Sequence, residues 1–272
     1  VPGEPFAALA RELVLRNISK KALDIELLDG VSVIVPYGVN NFLLKEMSRT
    51  IEAWMTVEHV TEGVPIYKLT TDPRDIAQIA FIKGAHFYRG FGEGKSRTSL
   101  KVIVDPAAIF GNISDFSYPL NFLKARSFVF PAHQGTKGKT PCAFSYAKIH
   151  LAPGAQRRFF SLMGHVFDRN DIKKLGIDAI DEDFISKKKA ANQQLIDGIM
   201  DRLFTSSGLT AFDLYARQTY LDNVLRGGLP YSISVDGQKK SIYVFSRKHG
   251  DLERDYNKFL VSATYFSEGE GN

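Results

Sequence analysis

The chain has 272 residues, of which 44% are hydrophobic, 12% aromatic and 24% charged. That apolar content excludes global disorder, and the length allows one large domain or two ordinary ones. A single cysteine, Cys142, excludes an internal disulfide framework and argues against a zinc–cysteine site, and the small basic excess (35 Lys+Arg against 30 Asp+Glu, net +5) is dispersed where a nucleic-acid binder would cluster it.

The opening VPGEPFAALARELVLRN has no basic region followed by an apolar core, so no signal peptide is visible and a cytoplasmic location is expected. No run approaches the ~20 apolar residues of a membrane helix, so no membrane partner is expected. Leu23, Ile25 and Leu27 alternate with Asp24 and Glu26, the period of a half-buried strand. Further strands are expected at Leu13–Ile18, Val31–Val35, Ile51–Val57, Pro65–Thr70, Ile76–Ile82, His86–Phe91, Leu100–Val104, Ala143–Leu151 and Arg158–Val166. Turn residues such as Asp29-Gly30, Gly63, Asp72-Pro73, Gly84 and Pro153-Gly154 separate many of them, which reads as an antiparallel β-sandwich.

Near residue 170 the period changes. Asp181–Phe204 carries Leu195, Ile196, Ile199, Met200 and Leu203 at helical spacing. Thr210 and Asp213 form a capping-box-like start for a second helix, which runs to Gly227-Gly228 with Pro230 beyond it. Tyr231–Val235 and Lys240–Phe245 then read as a hairpin through Asp236-Gly237. The expected organisation is a sandwich over 1–170, a helical linker over 171–208, and over 209–272 a piece too small to hold its own core. The chain starts Val1-Pro2 without a methionine and stops abruptly at Gly269–Asn272, so we expect a segment of a longer protein.

Several motifs resolve to plain readings. Gly90–Ser96 resembles a phosphate loop, but a P-loop needs a glycine where Arg89 stands and a helix where Thr98–Val104 reads as a strand. It is read as a glycine-rich hairpin tip. The six histidines show no ligand spacing, so no metal site is expected. His86 and His150 alternate with apolar residues and are read as pore, interface or packed-face residues. Cys142, between Pro141 and Ala143 with no activating neighbour, is read as a packed small side chain. The Asn-x-Ser sequons at Asn17 and Asn112 count as background without a secretory signal.

The densest polar constellation is Arg247–Asn257, with three acids, three bases and His249, flanked by Phe245 and Tyr265-Phe266. A solvated, self-paired loop would look the same. Carbohydrate sites use this palette as well, because Asp, Glu, Arg and Asn bond sugar hydroxyls and aromatic faces stack on the ring. The aromatic flank favours a site.

The runs FDLYARQTYLDNVLRGG (Phe212–Gly228), SRKHGDLERDYNKF (Ser246–Phe259) and YFSEGEGN (Tyr265–Asn272) resemble glycoside hydrolase family 94, the cellobiose phosphorylases and their relatives, including the 1,2-β-oligoglucan phosphorylases. Pro36–Met55, Gly63–Leu69 and Gly84–Tyr88 resemble the sandwich domain of the same proteins, so the similarity covers nearly the whole chain. The resemblance implies a galactose-mutarotase-like supersandwich, linker helices and the beginning of an (α/α)6 barrel. It implies phosphorolysis of a β-glucan oligosaccharide or disaccharide, with inversion, to α-glucose 1-phosphate. Inorganic phosphate is then the co-substrate, with no metal or other cofactor, and a homodimer is implied because members are often dimers. In such enzymes the phosphate attacks directly, so one protonated carboxyl suffices where an inverting hydrolase needs two. The family's tyrosine-arginine-aspartate signature and its catalytic acid fall beyond Asn272, so no catalytic residue is assigned. His249, Asp251, Arg254, Asp255 and Tyr265 are expected to contact sugar at the rim of the active site. The alternative is a non-catalytic carbohydrate-binding or structural sandwich, for which Tyr37 and Trp54 are the aromatic candidates.

Overall fold

The first two strands both lie at sheet edges, and the second carries the period-two alternation of Leu23–Leu27. The computed structural model of the chain describes residues 2–73, 79–94, 99–124, 126–227, 231–235, 238–245 and 259–262. The chain divides into two units, Val1–Lys188 and Lys189–Asn272.

In the first unit, β1 (Ala7–Arg16), β8 (Gln156–Val166), β5 (Ala85–Gly92), β4 (Ile66–Leu69) and β3 (Met55–Glu58) form a five-stranded sheet in that order. A second sheet has the order β2 (Leu23–Val31), β7 (Ala143–Leu151) and β6 (Lys101–Ile103). Every named strand pair is antiparallel, so the unit is mainly β, as expected. The stretch Ile51–Val57, expected as one strand, is a 3-10 turn over Ser48–Trp54 followed by β3. Val31–Val35 does not form its own strand. Its amides and carbonyls go to separate partners, with the Ile34 N–H donating to the Pro141 carbonyl at 2.8 Å.

The sheets stack face to face. Val57, Tyr67 and Tyr88 of the larger sheet meet Val102, Val104 and Ala143, and Leu13, Leu15 and Phe159 meet Ile25, Leu27, Ile149 and Leu151. A polar network crosses this interior. The Tyr88 hydroxyl donates to the Asp29 carbonyl at 2.9 Å and lies 3.0 Å from Ser145 Oγ, while Arg11 pairs with the Asp29 carboxylate. Facing hydroxyls and a charged pair satisfy one another here, as buried polar groups must.

The opposite face of the larger sheet is also covered. Phe87, Phe91, Phe160 and Leu162 pack under Phe6 and under Ile172, Ile177, Ile180 and Ile185. These isoleucines come from α4 (Asp171–Lys174), a 3-10 turn over Ile177–Ala179 and the first turns of α5 (Glu182–Met200). Arg89 is fully buried in this layer. It donates to the Ile180 carbonyl and to Ser99 Oγ at 3.2 Å, and it lies 4.7 Å over the Phe91 ring. Arg158 ties the same layer by pairing with Glu182, Glu93 and Glu12. The outer face of the smaller sheet is covered by residues 105–142. There α2 (Ala107–Phe110) and α3 (Leu120–Lys124) set Ile109, Phe110, Phe122 and Phe128 against Leu28, Phe144 and Tyr146. A further helix, α1 (Asn41–Met47), is capped by Asn40, whose Oδ1 accepts the Leu43 N–H at 2.8 Å.

In the second unit, the helix expected over Asp181–Phe204 is the remainder of α5. The next is α6 (Thr210–Gly227), where Asp213 reaches back to accept the Ser207 N–H at 3.1 Å. The expected hairpin is β9 (Tyr231–Val235) with β10 (Gln238–Phe245), and β11 (Phe259–Ser262) joins β10 as a third antiparallel strand. No described helix is long and apolar enough to cross a membrane.

Candidate functional site

The five residues expected to touch sugar (His249, Asp251, Arg254, Asp255 and Tyr265) lie outside the described residues. Two other constellations of polar side chains stand in the first unit.

The first is a pair of imidazoles on neighbouring strands. β5 and β8 pair so that His86 stands directly opposite His165, and β1 places Ala7 opposite His165 on its other side. Cross-strand partners share a face of the sheet. This is the face of Tyr88 and Met163, toward the smaller sheet. The two rings meet edge to face with centroids 5.9 Å apart. Tyr37 stacks on His165 at 4.7 Å and meets His86 edge-on at 5.5 Å, and Phe167 meets His165 edge-on at 5.0 Å. Gly84 makes room for Tyr37, because a Cβ there would stand 2.5 Å from Cε1 of the tyrosine ring.

Both imidazoles have one nitrogen committed. His86 Nδ1 is 3.0 Å from the Val35 carbonyl oxygen and His165 Nδ1 is 3.2 Å from that of Ala85. A carbonyl only accepts, so each Nδ1 carries a proton toward it. Burial holds the His86 imidazole below its ordinary 6.5; the Val35 carbonyl opposes this and the neighbouring His165 reinforces it. His86 is therefore neutral at pH 7. Both rings are half-buried, whereas Phe167 is 77% exposed.

The second constellation is a charged depression of about 640 Å³ on the outer face of the smaller sheet, lined by Asp24, Glu26, Arg126, Ser127, Lys148 and His150. Strand register sets opposite charges across from each other, Asp24 with His150 and Glu26 with Lys148. Glu26 accepts from the Phe128 N–H, Ser127 Oγ and the Tyr146 hydroxyl, each at 2.9 Å, and lies 3.2 Å from Lys148 Nζ. These donors, the Phe128 amide foremost, draw its carboxyl down to about 2. Lys148 Nζ donates to Ser127 Oγ at 2.8 Å, which has the geometry of a serine–lysine pair. The chemistry does not follow. The hydrogen bond to Glu26 raises Lys148 above its ordinary 10.5, so the amine stays charged and cannot take the serine proton. His150 Nδ1 lies 2.7 Å from Asp24, fully in solvent reach. The arrangement is a set of mutually satisfied pairs.

Other motifs fall where they were expected. Cys142 is buried, and burial pushes its thiol up, so it is inert. Gly90–Gly92 lie within β5, and the chain returns antiparallel where Phe91 bridges Ser99, as in a hairpin. The Asn17 side chain is buried and donates to the carbonyls of Lys21 at 2.7 Å and Leu151 at 2.9 Å, so it is committed to structure. Sequence reading saw His86 as a packed residue and Tyr37 as an aromatic candidate, but it had no means of pairing them with His165. Gly84-Ala85-His86 and Met163-Gly164-His165 each set a histidine beside a small residue, and that was the available signal. Among the described residues no group of three or more His, Cys, Asp or Glu is placed to hold a metal ion. No protein-family model matches the chain, and no curated protein matches it.

Proposed function

We propose that this chain belongs to a carbohydrate-active enzyme of the inverting β-glucoside phosphorylase type. The observation that carries the reading is the order of parts. A mainly antiparallel unit of two stacked sheets is followed by two long helices, α5 and α6. That is the order of sandwich, linker and barrel in the enzymes whose phrases Phe212–Gly228, Ser246–Phe259 and Tyr265–Asn272 resemble. On this reading the stacked sheets are a galactose-mutarotase-like sandwich and residues 209–272 open an (α/α)6 barrel. Inorganic phosphate attacks the anomeric carbon of a β-glucoside while a single carboxylic acid, lying beyond this chain, protonates the leaving oxygen. His249, Asp251, Arg254, Asp255 and Tyr265 line the sugar side of that site.

The test uses the natural full-length protein. Supplied with α-glucose 1-phosphate and glucose or short β-glucans as acceptors, it is expected to release phosphate and lengthen the acceptor. No phosphate release with any glucosyl acceptor overturns the assignment.

A further inference from the structure

The larger sheet has five strands and the smaller sheet laid against it has three. Part of the inner face is therefore open. Leu9 is 66% exposed there, Ala7 is exposed, and Met163, His165, His86 and Tyr37 are half-exposed. We infer that this shelf, built on Tyr37, His86, His165 and Phe167, binds a pyranose ring of a neutral saccharide.

Four features of the shelf select that ligand. Each imidazole is oriented by a backbone carbonyl at its Nδ1, which sets two Nε2 atoms on adjacent strands. A ligand hydroxyl both donates and accepts, so it suits a fixed ring nitrogen in either role. The π surfaces of Phe167 and Tyr37 lie beside those nitrogens, within 5.0 Å and 4.7 Å of the His165 ring. Aromatic faces take the C–H face of a pyranose ring, so one ligand satisfies both parts of the shelf. Among the described residues, the contacts of both imidazoles are with aromatic rings and backbone carbonyls, and none is with a carboxylate. An anion would find no cation among these contacts. Finally, Ala7 stands where a larger side chain would cover the row on the β1 side.

A packing role alone explains less. A histidine that only fills a core has both nitrogens engaged or its ring enclosed. These rings are half-open to solvent and are bordered by a phenylalanine that remains mostly exposed. The site stands on the first unit's geometry and does not depend on phosphorolysis.

The experiment uses the 272-residue chain. Neutral glucose tetrasaccharides with β-1,2, β-1,3 and β-1,4 linkages are titrated while the histidine ring protons are followed by NMR. Glucose 1-phosphate and inorganic phosphate serve as charged comparators. At least one tetrasaccharide is expected to shift the His86 and His165 signals and leave those of His150 in place. Phe167→Ala, at an exposed position, is expected to weaken that binding about tenfold, the loss of one aromatic contact. His165→Gln removes the fixed ring nitrogen and the stacked ring and is expected to weaken it at least as much, whereas His150→Gln leaves it unchanged. The inference is overturned if no tetrasaccharide moves the two signals, if phosphate moves them and tetrasaccharides do not, or if Phe167→Ala and His165→Gln both bind like the parent chain. Turnover by the natural protein without binding here removes the shelf alone. Binding here without turnover removes phosphorolysis and keeps the shelf.

Discussion

Adding one methyl group at Gly84 tests how tightly the tyrosine–imidazole cluster is built. The Gly84 backbone is not in the left-handed region, so alanine is acceptable there on torsional grounds. Space is the obstacle. The new Cβ would lie 2.5 Å from Tyr37 Cε1, 2.8 Å from Cζ and 3.1 Å from Cδ1, where ordinary contact begins at 3.4 Å. The ring must retreat by about 1 Å, and it has few places to go. Its backbone is pinned to β4 on both sides, with the Tyr37 N–H on the Tyr67 carbonyl at 3.1 Å and the Leu69 N–H on the Tyr37 carbonyl at 2.8 Å. Its faces and edges are held by His165 at 4.7 Å and His86 at 5.5 Å. Overpacking of this kind costs about 1–3 kcal/mol. For a unit the size of the first one, that lowers the melting temperature by roughly 2–12 °C. Calorimetry gives the stability, and the His165 ring-proton shifts report the lost stacking. In a Tyr37→Ala background the clash has no partner, so Gly84→Ala should then cost almost nothing. A melting temperature and histidine spectrum unchanged by Gly84→Ala would refute the reasoning, as would an equal cost in the two backgrounds.

Tyr88→Phe removes the hydroxyl that bridges the two sheets between the Asp29 carbonyl and Ser145, and it should cost about 1–3 kcal/mol in denaturant melts because buried groups lose a partner. Combining it with Ser145→Ala should cost less than the sum of the single changes, since the orphaned serine hydroxyl is then gone. Glu26 has a folded pKa of about 2 against an ordinary 4.5, so its contribution is present above 4.5 and is lost as pH falls toward 2. Glu26→Gln should flatten that acid limb in a pH series of melts and cost about 1–2 kcal/mol at neutral pH, the partial exposure of the pair having been allowed for. Cys142 should resist alkylation in the folded chain and react fully once the first unit is unfolded, as read by mass spectrometry; labelling under native conditions would contradict its burial.

Local pattern was a good guide wherever one face of an element met solvent. Ala143–Leu151 was read with the bounds it has in β7, because its alternation is regular along its length. The hairpin about Asp236-Gly237 and the helix from Thr210 to Gly227 were read from turn and capping chemistry, which acts over a few residues. Short apolar runs were ambiguous. Ser48–Trp54 is a 3-10 turn in which Ile51 is buried against Leu43 and Leu69 and Trp54 packs against the same cluster. The isoleucines at 172, 177, 180 and 185 carry no strand or heptad period, and only the apolar face of the larger sheet explains them.

The mainly β character of the first part, and the two helices and hairpin that follow it, are legible in the sequence alone. Those properties follow from composition and from periods of two and 3.6 residues, which any short window displays. The sequence also singles out His86 as a pore, packed-face or interface residue and Tyr37 as an aromatic candidate, and leaves His165 among six histidines without ligand spacing. Their meeting in one cluster is a product of the tertiary fold. His86 and His165 are far apart in the chain and meet through the register of β5 on β8, and Tyr37 reaches them from a segment bridged to β4. Register is fixed by which faces are buried across the whole sheet, and no local window contains that information.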